Sequence, residues 1–213
     1  MSKTSTAVDW RESRRQFART AIVEAAWAAV REEGLGALSL RDLASRAGIT
    51  TPTVYAYFES KNAIYDAMFG QAATDFANRL AEPYDTDDPR EVLVGSLRRF
   101  VGFCTADVAR YQLLFQRTIP GFEPSPESYE PAVQALGGSR DLLTLNGVSD
   151  ARHLDMWTAL VTGLVDQQIS NDPGGDRWVC LADEFVTMFL THCQSPTRPA
   201  RRSSPPRRTG DKP

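Results

Sequence analysis

The sequence predicts an all-α protein of about nine helices. Apolar residues recur at the three- and four-residue spacing of amphipathic helices along most of the 213 residues, and no run of alternating β-branched residues indicates a strand. Glycine, proline and polar clusters interrupt this pattern where helices would end. Hydrophobic residues make up 42% and charged residues 24% of the chain. These values are typical of a globular protein and exclude collagen-like and wholly disordered chains.

Two helices are predicted in the N-terminal quarter of the chain. The first covers residues 14–33 with apolar side chains on one stripe, and Gly34 ends it. The second opens at Ser39, whose hydroxyl is expected to cap the free backbone amides, while Asp42 stands three residues on in a capping-box position. Gly48 ends this second helix and begins a turn.

Two more helices follow the turn. The third is predicted to begin with Thr51 as N-cap and Pro52 at the first helical position, where the missing amide of proline costs nothing. It is short and ends near Phe58. Ser60 then caps a fourth helix over residues 61–80, which would connect the N-terminal segment to the rest of the chain.

Five further helices are predicted in the second half, separated by segments rich in proline, glycine, asparagine and aspartate. Their predicted ranges are 90–105, 107–117, 127–144, 150–171 and 176–194. Residues 196–213 contain no large apolar side chain, so this segment cannot contribute to a core and is predicted to be disordered.

The formal net charge of -3 is unevenly distributed along the chain. Residues 1–69 carry 9 basic and 8 acidic side chains, residues 70–195 carry 9 and 18, and residues 196–213 carry 6 and 1. Such a chain could present its N-terminal end to a polyanion and keep its acidic middle away from it. Ordinary variation of surface charge is the alternative explanation.

Composition also bears on compartment and chemistry. No apolar run approaches the ~20 residues that cross a bilayer, and the first ten residues lack the apolar core of a signal peptide, so we expect a cytoplasmic protein without membrane contact. Cys104, Cys180 and Cys193 lack CxxC spacing, which favours reduced thiols over a disulfide framework or a zinc site. The two histidines, His153 and His192, form no catalytic pair or metal triad by their spacing, so neither an enzyme nor a metal or cofactor is expected.

Residues 39–61, SLRDLASRAGITTPTVYAYFESK, form the most informative segment. Two short helices share a turn at Gly48, and apolar side chains from both helices and the turn are spaced to bury a small common core: Leu40, Leu43, Ala44, Ala47, Ile49 and Val54. This is the helix-turn-helix pattern, in which the second helix is presented to the major groove of DNA. Any helical hairpin can share the spacing, so the pattern needs a second observation.

The outer face of the third helix supplies that observation. It carries short or flat side chains instead of the long charged ones of a solvated helix: Thr50, Thr51, Thr53, Tyr55, Ala56 and Tyr57. Threonine and tyrosine hydroxyls can bond phosphates, and a threonine methyl can meet a thymine methyl. Either Tyr57 or Phe58 is expected to anchor the helix in the core instead of facing DNA.

In this register the segment resembles the TetR family of bacterial transcriptional repressors. The resemblance covers residues 14–69 and is carried by a first helix ending in Glu33-Gly34, then by Leu38-Ser39-Leu40-Arg41-Asp42-Leu43-Ala44, Ala47-Gly48-Ile49 and Thr53-Val54-Tyr55-x-Tyr57-Phe58-x-Ser60-Lys61. It implies DNA-contact roles for nine residues: Ser39, Arg41, Thr50, Thr51, Pro52, Thr53, Tyr55, Tyr57 and Lys61.

The resemblance also implies two domains, a helix-turn-helix DNA-binding domain (14–60) and a ligand-sensing and dimerisation domain (61–195). A flexible N-terminal arm (1–13), which departs from the family pattern, and the disordered basic tail (196–213) complete the predicted domain plan. Arg11, Arg14 and Arg15, near the arm, could touch phosphate or the minor groove, although a disordered arm explains them equally well.

A single recognition helix reads few base pairs, so the resemblance implies a homodimer on a palindromic operator in double-stranded DNA. Helices 150–171 and 176–194 are apolar around much of their circumference, more than burial on one side requires, and are predicted to form the dimer interface. A monomer core is the alternative for the same side chains.

The C-terminal domain is expected to bind a small, largely hydrophobic or aromatic effector that releases the protein from DNA. The candidate ligand-binding residues are Phe103, Tyr111, Phe115, Trp157, Val161 and Gln168. Each could instead be an ordinary core residue. The predicted function is thus a dimeric, ligand-released repressor. A helical protein-interaction module is the alternative, and it would lack the steep salt dependence of DNA affinity.

Overall fold

The computed structural model describes residues 4–195, with side chains from Trp10 onward except at position 11. Within this range the chain forms nine α-helices and no strand, which confirms the predicted all-α class. The helices are α1 (Thr4–Glu33), α2 (Leu40–Arg46), α3 (Thr51–Tyr57), α4 (Lys61–Ala81), α5 (Pro89–Ala106), α6 (Val108–Phe115), α7 (Pro126–Leu145), α8 (Ala151–Asn171) and α9 (Ala182–Gln194). None of these described helices is both long and apolar enough to span a membrane. The predicted disordered tail lies outside the described residues.

The first helix is longer than predicted. α1 begins at Thr4 and not near Arg14, so the predicted start of this helix is wrong, and the residues of the expected arm from Thr4 onward are helical. No glycine or proline interrupts the chain before Gly34, and nothing in the sequence stops the helix at Arg14. The guanidinium of Arg14 lies 3.8 Å from the ring centroid of Trp10, a contact one helical turn apart that stabilises this extension.

A first core holds α1, α2 and α3 against the N-terminal half of α4. Trp27 of α1 is completely buried, and its indole nitrogen donates a hydrogen bond to Oε1 of Gln71 on α4 at 2.6 Å. Tyr65 of α4 is buried as well, and its hydroxyl donates to the backbone oxygen of Leu35. Because large side chains stabilise a fold by about 1.5–3 kcal/mol each when buried, these contacts fix α4 firmly to the N-terminal helices.

A second core lies between the C-terminal half of α4 and helices α5 to α9, with Phe76 of α4 inside it. α6 lies between the two cores and is tied to both by ion pairs. Arg31 of α1 contacts Asp107 at 2.7 Å, and Arg110 of α6 contacts Asp75 of α4 at 2.7 Å. The N-terminal helices and the C-terminal helices therefore share α4 and α6 as connecting elements.

The predicted helix over residues 176–194 is interrupted. A 3₁₀ turn over residues 179–181 precedes α9. The side-chain oxygen of Gln168 accepts hydrogen bonds from the backbone nitrogens of Trp178, at 2.9 Å, and Val179, at 3.2 Å. Gln168 thus holds the segment before α9, which begins at Ala182 and later than predicted.

Candidate nucleic-acid interface

The helices α2 and α3 meet at a turn in which Gly48 has a φ of 66°, a conformation that glycine adopts without strain. Leu43 of α2 and Val54 of α3 are fully buried, and Ile49 in the turn packs against the same core. Each helix has only seven residues. Helices this short are not stable alone, so tertiary packing sets the orientation of α3.

The predicted capping box at the start of α2 is wrong. Ser39 is the N-cap, but its side chain makes no capping hydrogen bond. Asp42 instead contacts Arg46 at 2.6 Å, and Arg46 also lies 2.8 Å from Glu32 and 3.4 Å from Glu33. The hydrogen bond and charge of Arg46 lower the pKa of the Glu32 carboxyl. Arg46 therefore joins α2 to the end of α1, and Asp42 pairs with Arg46 instead of capping its own helix.

The start of α3 is shifted by one residue from the prediction. Thr50, and not Thr51, is the N-cap, and its hydroxyl oxygen accepts a hydrogen bond from the backbone nitrogen of Thr53 at 3.3 Å. The hydroxyls of Thr50 and Thr53 also lie 2.8 Å apart. Pro52 still lies in the first turn, where its missing amide leaves no helix hydrogen bond unmade.

None of the nine predicted DNA-contact residues is buried, so all are accessible at the surface. Tyr55 is the most informative, with 53% of its surface exposed on the outer side of α3. The other exposed members are Ser39, Arg41, Thr50 and Pro52. The half-buried members are Thr51, Thr53, Tyr57 and Lys61.

Phe58 is the aromatic side chain that anchors the end of α3 in the core. The sequence predicted that either Tyr57 or Phe58 would do so. Its side chain is 2% exposed, and the guanidinium of Arg19 lies 4.2 Å from the centroid of its ring. Arg19 also donates to the backbone oxygen of Tyr57 at 2.6 Å. Tyr57 packs partly against the first core. The C-terminal end of α3 is thereby bound to α1, while Tyr55 remains outside.

Two arginines of α1 lie beside α3. Arg14 and Arg15 line a surface groove together with α3 residues: Pro52, Thr53, Ala56 and Tyr57. The sequence suggested these arginines only as possible contacts near a flexible arm. The structure places them on a helix, next to the face of α3 that carries threonine and tyrosine.

Residues 22–68 match the sequence model of the bacterial regulatory proteins of the tetR family. This segment is therefore similar to the tetR family of bacterial regulatory proteins. The matched range extends from the buried part of α1 through α2 and α3 into α4, so it contains the whole helix-turn-helix motif. The predicted family resemblance is confirmed.

Relatives and solved structures extend this result beyond the motif. An HTH-type transcriptional regulator of Mycobacterium tuberculosis is 26% identical over 120 residues, which cover 55% of this chain and 51% of that protein. The class C tetracycline repressor of Escherichia coli is 32% identical over 82 residues, which cover 38% of this chain and 37% of the repressor. The chain thus spans about half the length of the first of these curated relatives.

The solved structure of PfmR, a TetR-family transcriptional regulator from Thermus thermophilus, has the same fold as this chain. The TM-score is 0.61 at 18% identity, and the alignment covers 80% of this chain and 97% of PfmR. The TetR-family fold therefore includes the C-terminal helices as well as the matched N-terminal domain.

Behind the helix-turn-helix segment, the second core contains a cavity of about 100 Å³ between α4, α5, α7, α8 and the end of α6. Three of the six predicted ligand-binding residues line it, namely Phe115, Trp157 and Val161. The remaining lining residues are Phe76, Leu80, Ser96, Leu97, Phe100, Ala132, Ala135, Leu136, Ser139, Thr158 and Thr162. No lining residue is charged. Sequence patterns could not have separated these residues from ordinary core residues, because both have the same helical spacing.

The other three predicted ligand-binding residues lie outside the cavity lining. Phe103 packs against the ring of Phe76 with centroids 5.2 Å apart and is not among the lining residues of the cavity. The hydroxyl of Tyr111 donates to Oδ1 of Asp166 at 2.8 Å, and burial together with this carboxylate raises the pKa of Tyr111. Gln168 binds the loop before α9. Each of these three side chains contacts another part of the protein, whereas the sequence analysis expected it to contact a ligand.

The described residues contain no cluster of three or more histidine, cysteine, aspartate or glutamate side chains arranged to hold a metal ion. Cys104 is buried, and its burial raises the pKa of the thiol. Cys180 is exposed and Cys193 is half-buried. All three are free thiols in the structure.

Proposed function

We propose that this protein binds double-stranded DNA through α3 and acts in the cytoplasm as a transcriptional regulator. The observation that carries the proposal is the division of α3 into two faces. Val54 is completely buried, whereas Tyr55 beside it is 53% exposed. A helix held rigidly on one side, with threonine and tyrosine on the other, suits insertion into a major groove. Repression is the simplest mode, because blocking a promoter needs only occupancy.

We propose further that the protein binds its operator as a homodimer through α8 and α9. Much of the apolar surface of these helices is used inside the monomer, as the alternative interpretation required. An outer stripe nevertheless remains, with Leu160 and Phe185 only partly buried, Met188 54% exposed, and the small residues Ala159 and Gly163 exposed between them. Small residues let two helices approach closely, so this stripe suits a helix of a second copy.

Gly163 offers a sharp test of the dimer. A Cβ atom built at this position has no neighbour within 4 Å, so the monomer has room for a side chain. Gly163→Arg should leave the monomer folded, because arginine favours helices more than glycine by roughly 1 kcal/mol, and should prevent dimerisation. Gly102→Arg on α5 is the matched control, since Gly102 also has no neighbour within 4 Å. A Gly163→Arg variant that sediments as a dimer would refute the interface.

We propose that an uncharged, largely apolar or aromatic ligand binds at the cavity and releases the DNA. The uncharged lining supports this class, because an unpaired charge in such a site carries a large desolvation cost. The cavity of about 100 Å³ is smaller than the roughly 300–1,000 Å³ typical of ligand pockets. Phe115, which is 37% exposed, also lines an open cleft of about 430 Å³. Rotation of Phe115 would join the two spaces.

Selection of preferred sequences from random duplex DNA tests the DNA-binding proposal. The intact protein is expected to enrich a palindrome, as two-fold symmetric dimers do. A variant carrying Thr53→Ala and Tyr55→Ala should enrich nothing while keeping its helical content. Failure of the intact protein to enrich any sequence in the absence of ligand would favour a protein-interaction module instead.

A further inference from the structure

The N-terminal part of α1 extends beyond the first core. At position 10 and from residue 12 to residue 17, every side chain is exposed. Trp10 is 59% and Phe17 is 78% exposed, and the first fully buried side chain of the helix is Ile22. At 1.5 Å per residue, the segment from Trp10 to Phe17 extends about 10 Å along the helix axis. It lies beside α3, where Arg14 and Arg15 line a groove with residues of that helix.

The extension faces α3 with positive charge. Arg14 and Arg15 line the groove between the two helices, and no carboxylate is among the residues that line it. Neither arginine forms an ion pair with any carboxylate whose side chain the structure describes. The stacking of Arg14 on Trp10, at 3.8 Å, orders its guanidinium without neutralising the charge.

Arg19, one turn further along α1, differs from Arg14 and Arg15 in its contacts. Its guanidinium donates to the backbone oxygen of Tyr57 and packs on Phe58, so it serves the fold. Arg14 and Arg15 have no such partner in the described structure. Two arginines beside the proposed DNA-reading face, with no neutralising carboxylate among the side chains that the structure describes, are complementary to a phosphate backbone.

We propose that Arg14 and Arg15 bind backbone phosphates of duplex DNA next to the base pairs that α3 reads. The inference rests on the proposed DNA-binding function and adds these two residues to the surface that contacts DNA. Phosphate contacts position a protein on the duplex and carry no sequence information. The two arginines thus contribute affinity and salt dependence, while the side chains of α3 determine the preferred sequence.

The test compares the intact protein with the double variant Arg14→Ala/Arg15→Ala on its selected duplex, over a range of salt concentrations. Each lost phosphate contact reduces the slope of log K against log salt by about 0.9, so the slope should fall by about 1.8 for each bound protomer. That difference amounts to about 60-fold in relative affinity between 1 M and 0.1 M salt. The preferred sequence should not change.

Two further variants separate charge from other effects. Arg117→Ala/Arg140→Ala removes two exposed arginines outside the N-terminal helices and should leave the slope unchanged. Arg14→Lys/Arg15→Lys keeps the positive charge and should retain most of the slope, because lysine also binds phosphate. Circular dichroism of each variant checks that the helical content is preserved.

The outcomes distinguish this inference from the proposed function. An intact protein that binds its selected duplex, together with an Arg14→Ala/Arg15→Ala variant of equal slope and affinity, overturns the phosphate contacts alone. A variant that selects a different sequence overturns them too, because the arginines would then read bases. An intact protein that binds no duplex overturns both proposals.

Discussion

Replacing Thr50 with alanine should destabilise α3, because the Thr50 hydroxyl caps this helix. Loss of an N-cap typically costs about 0.5–2 kcal/mol. The capping bond to the backbone nitrogen of Thr53 is long, at 3.3 Å, so we expect a loss in the lower half of that range, about 0.5–1 kcal/mol. For a chain of this size, such a loss lowers the melting temperature by about 1–4 °C.

Two control variants, at positions 50 and 51, separate loss of the capping hydroxyl from other effects of substitution. Thr50→Ser keeps a capping hydroxyl and should unfold within about 0.3 kcal/mol of the intact protein. Thr51→Ala removes a side chain that makes no capping bond in the structure, so it should have little effect. Urea unfolding followed by circular dichroism measures all three. The reasoning fails if Thr51→Ala destabilises more than Thr50→Ala, or if serine at position 50 is as damaging as alanine.

Three other predictions follow from burial. Tyr55→Ala should change the free energy of unfolding by less than about 0.5 kcal/mol while weakening DNA binding. Phe58→Ala, in contrast, should lower the free energy of unfolding by about 3–5 kcal/mol. Equal destabilisation by both variants would contradict the division of α3 into a buried and an exposed face. An uncharged aromatic ligand such as naphthalene is expected to release the DNA at a certain concentration. Trp157→Ala should shift that concentration by roughly ten-fold or more. Equal loss of ligand response and DNA affinity, with unfolding, would make Trp157 a core residue only. Alkylation at pH 8 should modify Cys180 quickly and Cys104 only in the unfolded protein. The reason is that burial raises the pKa of the Cys104 thiol and excludes the reagent. Rapid modification of Cys104 in the native protein would show that the second core opens.

The helix order and most helix boundaries follow from the sequence, because amphipathic spacing and stop signals act locally. The predicted range 61–80 corresponds to Lys61–Ala81, and 150–171 to Ala151–Asn171. The N-cap of α3 was predicted one residue late, since Thr50 and Thr51 are both suitable caps and proline is tolerated at either early position. In the structure Thr50 is the cap, because its hydroxyl accepts the hydrogen bond from the backbone nitrogen of Thr53.

Contacts between side chains account for much of what the sequence did not predict. Ser39 makes no capping hydrogen bond, because Asp42 pairs instead with Arg46 one turn on in the same helix, and Arg46 also binds Glu32 of α1. The last predicted helix begins only at Ala182, after a segment whose amides bond to Gln168 of α8. The cavity lining draws on α4, α5, α7 and α8 at once, so a residue such as Leu136 could not be distinguished from the core in advance.

Photocrosslinking at the outer face of α3 tests the central claim most directly. A photoreactive benzophenone side chain is placed at Tyr55 or, as the control, at Tyr129 of α7; the two tyrosines are 53% and 49% exposed. With the selected duplex bound, position 55 should crosslink to DNA and position 129 should not. Equal crosslinking from both positions, or none from position 55 while the duplex remains bound, would contradict recognition of DNA by α3.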